Sequence, residues 1–88
     1  MYFIYVLKST KDNNLYIGFT NNLDRRINQH NSGKVKSTKH RAPFILLYKE
    51  EMQTKEEAVK REKYLKSGSG REFLKNMKPQ SVVDDLEL

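Results

Sequence analysis

Two triplets near the start of the chain, Phe3-Ile4-Tyr5 and Tyr16-Ile17-Gly18, each carry a tyrosine, and the segment after them carries Arg26 and His30. Two phenols, a guanidinium and an imidazole are the groups a phosphodiester-cleaving site could use. A phenol or imidazole can orient or deprotonate a water, and a guanidinium can answer charge on phosphoryl oxygens. Nothing else in the chain is as suggestive, and the elements around these residues must bring them together.

Residues 2–7 form an unbroken apolar run of strand length, as expected of a strand buried on both faces. A polar stretch, Ser9-Thr10-Lys11-Asp12-Asn13-Asn14, separates it from a second short strand over residues 15–19, predicting an antiparallel hairpin. If the turn centres between Lys11 and Asp12, Tyr5 lies opposite Gly18 and Leu7 opposite Tyr16. Tyr5 and Tyr16 then share a face as a diagonal pair, whereas a slip of one residue would separate them. Gly18 opposite Tyr5 would leave open space that a ligand could occupy. The plainer reading of both rings is core packing.

A helix is expected to start at Asn21, with Asp24 near its positive end. Leu23, Arg26, Ile27 and His30 follow the spacing of a single helical stripe, so Arg26 lies where a solvated arginine would not. The plainer readings are an ion pair for Arg26 with an acid such as Asp24, and a packed, hydrogen-bonded His30. Asn31-Ser32-Gly33 ends this helix. A basic loop follows through Lys34, Lys36, Lys39 and Arg41, and residues 44–48 form a third strand. Thr54-Lys55-Glu56-Glu57 is a capping box for a helix whose apolar positions are Ala58, Val59 and Leu65, with Glu62 between them. A second capping box is expected over residues 69–72, for a last helix lined by Phe73, Leu74 and Met77 and ended by Pro79. The order is ββαβαα, an α+β fold with a small, three-stranded, mainly antiparallel sheet flanked by helices.

Eighty-eight residues leave room for one domain, placed at residues 1–79, with an acidic, poorly ordered tail over 80–88. The absence of cysteine excludes disulfides and cysteine-zinc sites from the stability of the fold. No stretch is long enough for a signal-peptide core or a membrane span, so the expected location is the cytoplasm, with no membrane partner. Seventeen Lys and Arg against eleven Asp and Glu give +6, with the excess concentrated over residues 25–49. That favours a polyanion partner. Lys34, Lys36, Lys39 and Arg41 would follow a nucleic-acid backbone as a flexible, sequence-blind arm, against the alternative of a merely solvated loop.

The combination resembles the GIY-YIG nuclease family, in particular small standalone members related to the nuclease domain of bacterial excision-repair endonucleases. Phe3-Ile4-Tyr5 stands for the first triplet, with Phe3 in place of its glycine, and Tyr16-Ile17-Gly18 is the second unchanged. Arg26 and His30 fit the positions on the first helix, and Glu62 fits the metal-binding glutamate of the next. The resemblance implies a metal-dependent endonuclease acting on DNA, structure-selective and serving repair or processing. Tyr5, Tyr16, Arg26, His30 and Glu62 would be its catalytic residues. It also implies one divalent metal on Glu62, magnesium with manganese able to substitute. An ion pair with a nearby Lys or Arg is the plainer reading of Glu62. Many members carry a late asparagine, for which Asn76 is the only candidate. No sequence-reading module accompanies the domain, so DNA shape or a protein partner would supply specificity. The alternatives are a catalytically silent nucleic-acid-binding module and a nuclease subunit that depends on a partner.

Overall fold

The apolar run at the start of the chain becomes β1 (Tyr2–Ser9), the middle strand of a three-stranded sheet. Ile4 and Val6 face one layer, Tyr5 and Leu7 the other, and all four are buried. The central position explains why the run has no polar alternation. The computed structural model describes residues 1–76. Met77, Pro79 and the expected acidic tail lie outside them. Among the described residues, no helix is long and apolar enough to cross a membrane.

β2 (Leu15–Thr20) and β3 (Phe44–Met52) flank β1, both antiparallel to it. The hairpin takes the expected register, with Tyr5 opposite Gly18 and Leu7 opposite Tyr16. Its turn is held by the Ser9 hydroxyl, which accepts from the backbone N–H groups of Lys11 at 3.1 Å and Asp12 at 3.3 Å. Asn13 takes the left-handed conformation, φ 61°, which asparagine tolerates better than most residues. β3 continues past the expected residue 48 through Lys49-Glu50-Glu51 to Met52. Charges suit this edge strand because Lys49 and Glu51 face water, where they also discourage pairing with another chain.

α1 (Leu23–Asn31) is capped by Asn22 rather than Asn21. The Asn22 side chain accepts from the Arg25 N–H at 3.1 Å. Gly33, at φ 77°, supplies the left-handed residue beyond the helix end. A 3₁₀ turn (Lys39–Arg41) lies between α1 and β3. α2 (Lys55–Lys66) carries the expected Thr54/Glu57 capping box. α3 (Gly68–Lys75) begins earlier than expected, because Ser67 both ends α2 and caps α3 by accepting from the Gly70 N–H. Ser69 is therefore inside the helix, and the expected box over residues 69–72 does not form. The tight corner buries Gly70 against α2, where a side chain would run into the Tyr64 carbonyl oxygen and the Leu65 Cα.

The two faces of the sheet hold separate cores. Ala58 and Leu65 of α2 and Leu74 of α3 pack on Ile4, Val6 and Leu47. On the other face, Leu23 and Ile27 of α1 pack with Tyr16 around Tyr5, Leu7 and Phe44. Arg61 fastens α2 to β3 with a two-point grip on Glu50, Nε to Oε1 at 2.9 Å and Nη2 to Oε2 at 2.7 Å. The Tyr48 hydroxyl donates to the same carboxylate. This grip fixes the rotation of α2, and so the direction in which the neighbouring Glu62 projects.

Candidate active site

The first phenol is placed by a glycine. Tyr5 lies across β2 at Gly18, so that a Cβ on Gly18 would fall 2.6 Å from the Tyr5 hydroxyl oxygen. The space expected beside the ring for a ligand is thus taken by the ring itself, pressed against the strand under the layer that α1 closes. Tyr5 is only 1% exposed.

Its hydroxyl sits in a chain of hydrogen bonds. Arg26 Nε donates to it at 3.4 Å, and His30 Nε2 lies 3.0 Å away. On the far side of the imidazole, His30 Nδ1 is 2.8 Å from the Thr38 hydroxyl, which donates weakly to the Val35 carbonyl at 3.5 Å. One assignment of protons satisfies the whole chain. Thr38 gives its proton to Val35 and accepts from His30 Nδ1–H, which leaves Nε2 to accept the Tyr5 proton. Burial, with the Arg26 charge adding to it, holds the His30 pKa down at about 4. The imidazole is therefore neutral near neutral pH. Burial also raises the Tyr5 pKa, against the bond from Arg26, so this phenol keeps its proton.

Arg26 is half-buried, as its position on the stripe implied. Its Nη1 donates to Gln29 Oε1 at 3.1 Å, and its bond to Tyr5 holds its pKa above the usual arginine value. Among the described residues it forms no ion pair, with Asp24 or any other acid. The Tyr16 ring stacks on Tyr5 with centroids 6.2 Å apart and lies 4.8 Å from the His30 ring. The Tyr16 hydroxyl lies close enough to the Arg26 guanidinium to help hold its pKa up. Tyr16 is also the less buried of the two phenols.

Glu62 comes from the opposite layer, and its carboxylate is near enough to raise the Tyr5 pKa slightly. It pairs with Lys66 one turn on, Nζ to Oε2 at 3.4 Å, so the ion pair that was its plainer reading is present. Among the described residues no group of three or more His, Asp or Glu side chains could hold a metal. A divalent ion on Glu62 would take most of its ligands from water and substrate. That fits magnesium, which keeps several waters and takes other ligands from substrate phosphate. Lys66 is no obstacle, since an i,i+4 surface pair contributes only ~0.3–0.5 kcal/mol.

The basic loop is fastened at two points rather than free. Thr38 is buried on His30. Arg41 Nε binds Asp12 Oδ2 at 3.1 Å, its Nη2 donates to the Leu15 carbonyl at 3.3 Å, and its guanidinium stands over the Phe44 ring. Arg41 is thereby committed to the hairpin turn, while Lys34, Lys36 and Lys39 are exposed. Asn76 caps α3, and its side chain donates back to the Glu72 carbonyl. Two further residues carry the site without having stood out as candidates. Thr38 sets the tautomer of His30. Asn31 clamps the end of α1 to β3, accepting from the Phe44 N–H at 2.6 Å and donating to its carbonyl at 3.3 Å.

The profile of the GIY-YIG catalytic domain matches residues 1–77. This chain belongs to the GIY-YIG family. A UPF0213 protein of Staphylococcus haemolyticus is 44% identical over 84% of this chain and 90% of its own length. One from Clostridium perfringens is 40% identical over 97% and 91%. The solution NMR structure of a UPF0213 protein from Bacillus halodurans has 38% identity and a TM-score of 0.52, covering 84% of this chain and 82% of that one. The α+β architecture is thus shared with a solved member of the same group. The names of these relatives specify no reaction.

Proposed function

We propose that this GIY-YIG protein is a metal-dependent endonuclease that hydrolyses DNA phosphodiester bonds, choosing its substrate by structure, in DNA repair or processing. The observation that carries this reading is the chain from Arg26 through Tyr5 and His30 to Thr38. It locks a charged guanidinium beside the freer phenol of Tyr16, with the Glu62 carboxylate close by.

The roles follow from what each group has left to offer. Tyr5 spends its proton on His30 and accepts from Arg26, so it positions the guanidinium. Arg26 holds the scissile phosphate through Nη2, the end of its fork that neither Tyr5 nor Gln29 takes, and stabilises charge developing on the phosphoryl oxygens. Tyr16 orients the attacking water. His30, neutral, holds Tyr5 and carries no proton between reactants. Glu62 would hold the divalent ion, magnesium or manganese, which when bound supplies further charge neutralisation at the phosphate. Lys34, Lys36 and Lys39 add sequence-independent attraction to the backbone. A partner protein remains the natural source of any sequence choice.

The Glu62–Lys66 pair favours a second reading, a silent nucleic-acid-binding module, because it satisfies the carboxylate without a metal. The two separate on supercoiled plasmid and a branched oligonucleotide, with magnesium or manganese. Tyr16→Phe should lower turnover by ~100-fold or more, the scale of a lost acid–base or water-orienting group, while Tyr5→Phe costs less. Glu62→Gln or a chelator should abolish nicking. Full turnover by Tyr16→Phe would remove that phenol from the chemistry, and binding without nicking by the unaltered chain would select the second reading.

A further inference from the structure

A groove of about 630 Å³ opens beside β2, between that strand and the corner where α2 meets α3. Leu15, Ile17 and Leu74 give it an apolar floor, and Lys66, Arg71 and Lys75 stand around it. No acidic residue lines it. Among the described residues neither Arg71 nor Lys75 is in an ion pair. The groove leads to the candidate site at two points. Lys66 reaches Glu62, and Tyr16, which also lines the groove, stacks on Tyr5. The lysines of the loop after α1 do not line it.

A cationic rim over an apolar floor matches one ligand chemistry closely. A paired duplex presents phosphates and sugars on its outside and keeps its base faces stacked within, so it has no use for the floor. An unpaired strand offers both a charged backbone and exposed base faces. We propose that this groove is the track of an unpaired nucleic-acid strand, its phosphates on Arg71, Lys75 and Lys66 and its bases on the half-buried Leu15 and Ile17. The track leads the scissile phosphate to Arg26 and Tyr16. Resting on the nuclease reading, this names the substrate class: nucleic acid with an unpaired segment beside the bond to be cut, such as a flap or an overhang.

The test is equilibrium binding by the full chain in chelator, where no cleavage intervenes, to a fluorescent single strand and a blunt duplex across a salt series. The unaltered chain is compared with Arg71→Gln/Lys75→Gln and with Lys34→Gln/Lys36→Gln. All four side chains are exposed, and circular dichroism verifies the fold. Each phosphate contact to a single strand contributes ~0.7 to the slope of log affinity against log salt. The groove variant should lower that slope by about 1.4 for the single strand, more than for the duplex and more than the loop variant does. An unchanged slope in the groove variant overturns the track and leaves the nuclease reading standing. A duplex that loses as much as the strand overturns the preference for unpaired substrate. If the unaltered chain binds neither probe, the nuclease reading falls as well.

Discussion

Lowering the pH from neutrality to about 4 should remove about 3 kcal/mol of stability through His30 alone. In the folded chain this imidazole is held at about 4 by burial and by Arg26, against an ordinary 6.5. Above 6.5 neither the folded nor the unfolded form is protonated, and the full stability is present. Between 6.5 and about 4 the unfolded chain takes up a proton that the folded chain refuses, so stability falls with pH. Below about 4 both forms are protonated and the loss levels off. At ~1.36 kcal/mol for each tenfold difference in proton affinity, the interval gives the figure above. Against ~0.05–0.15 kcal/mol per residue for a typical domain, it is a large share of the total.

The groups around His30 make the assignment specific. Tyr5 of β1, Tyr16 of β2, Phe44 of β3 and Thr38 of the loop surround the ring, and Arg26 is the charged neighbour. Glu50 acts at lower pH. Its bonds from Arg61 and Tyr48 outweigh burial and hold its carboxyl below 4.5, so its contribution is lost only below that value. Urea unfolding at stepped pH, for the unaltered chain and His30→Gln, measures the difference. The glutamine amide can still donate to Thr38 and accept from Tyr5, so the variant should be less stable at neutrality but nearly flat down to pH ~4.5. Equal losses in the two proteins, or a His30 resonance titrating near 6.5 in the folded chain, would refute the buried neutral imidazole.

Two further substitutions probe how α2 and α3 are held. Gly70→Ala should cost about 3 kcal/mol or more in urea unfolding, because its Cβ would meet the backbone at Tyr64 and Leu65, which cannot swing aside. A change within ~0.5 kcal/mol, the size of an ordinary surface substitution, would mean that the α2–α3 corner is looser than described. Arg61→Gln should cost about 2 kcal/mol by leaving the Glu50 carboxylate, 16% exposed, without its charged partner. A double-mutant cycle with Glu50→Gln should recover a clear coupling energy, and zero coupling would deny the pair any part in fixing α2.

How much was legible depended on whether the signal was local. β1 could be read because a strand buried on both faces leaves an unbroken apolar run. The hairpin register followed because the turn sets it and a slip would part Tyr5 from Tyr16. The stripe through Leu23, Arg26, Ile27 and His30 placed the guanidinium and the imidazole on the side facing the phenols. The far half of β3 was hidden by Lys49-Glu50-Glu51, since an edge strand can carry charge and Glu50 is answered by Arg61 from elsewhere in the chain. On paper Ser69 is the better cap, with Glu72 three residues on, and the docking of Gly70 against α2 moves the helix start to Ser67 instead. Gly18 showed that a small residue was needed opposite Tyr5, but not that the Tyr5 ring itself would fill the gap. Thr38 gave no signal at all: a threonine in a polar loop becomes significant only once His30 is known to be buried and in need of an acceptor.

Glu62 is the sharpest case of non-local assembly, because nothing in its own helix marks a carboxylate paired with Lys66 as a candidate site residue. Its place depends on the edge position of β2. α1 brings Arg26 and His30 to one face of the sheet, and α2 brings Glu62 from the other. A candidate site drawn from both layers can close only at an edge of the sheet, and β2 is one such edge. Each half has its own fastening. Thr38 and Asn31 hold the Arg26 side, while the Arg61–Glu50 grip and the packed Gly70 corner hold the Glu62 side. The Tyr5 hydroxyl lies over Gly18 of that edge strand. A small domain thereby obtains a two-sided candidate site without a cleft between domains, and the groove lined by Leu15, Tyr16 and Ile17 lies beside the same strand. The edge strand, usually a liability to be covered, is here what lets the two halves meet.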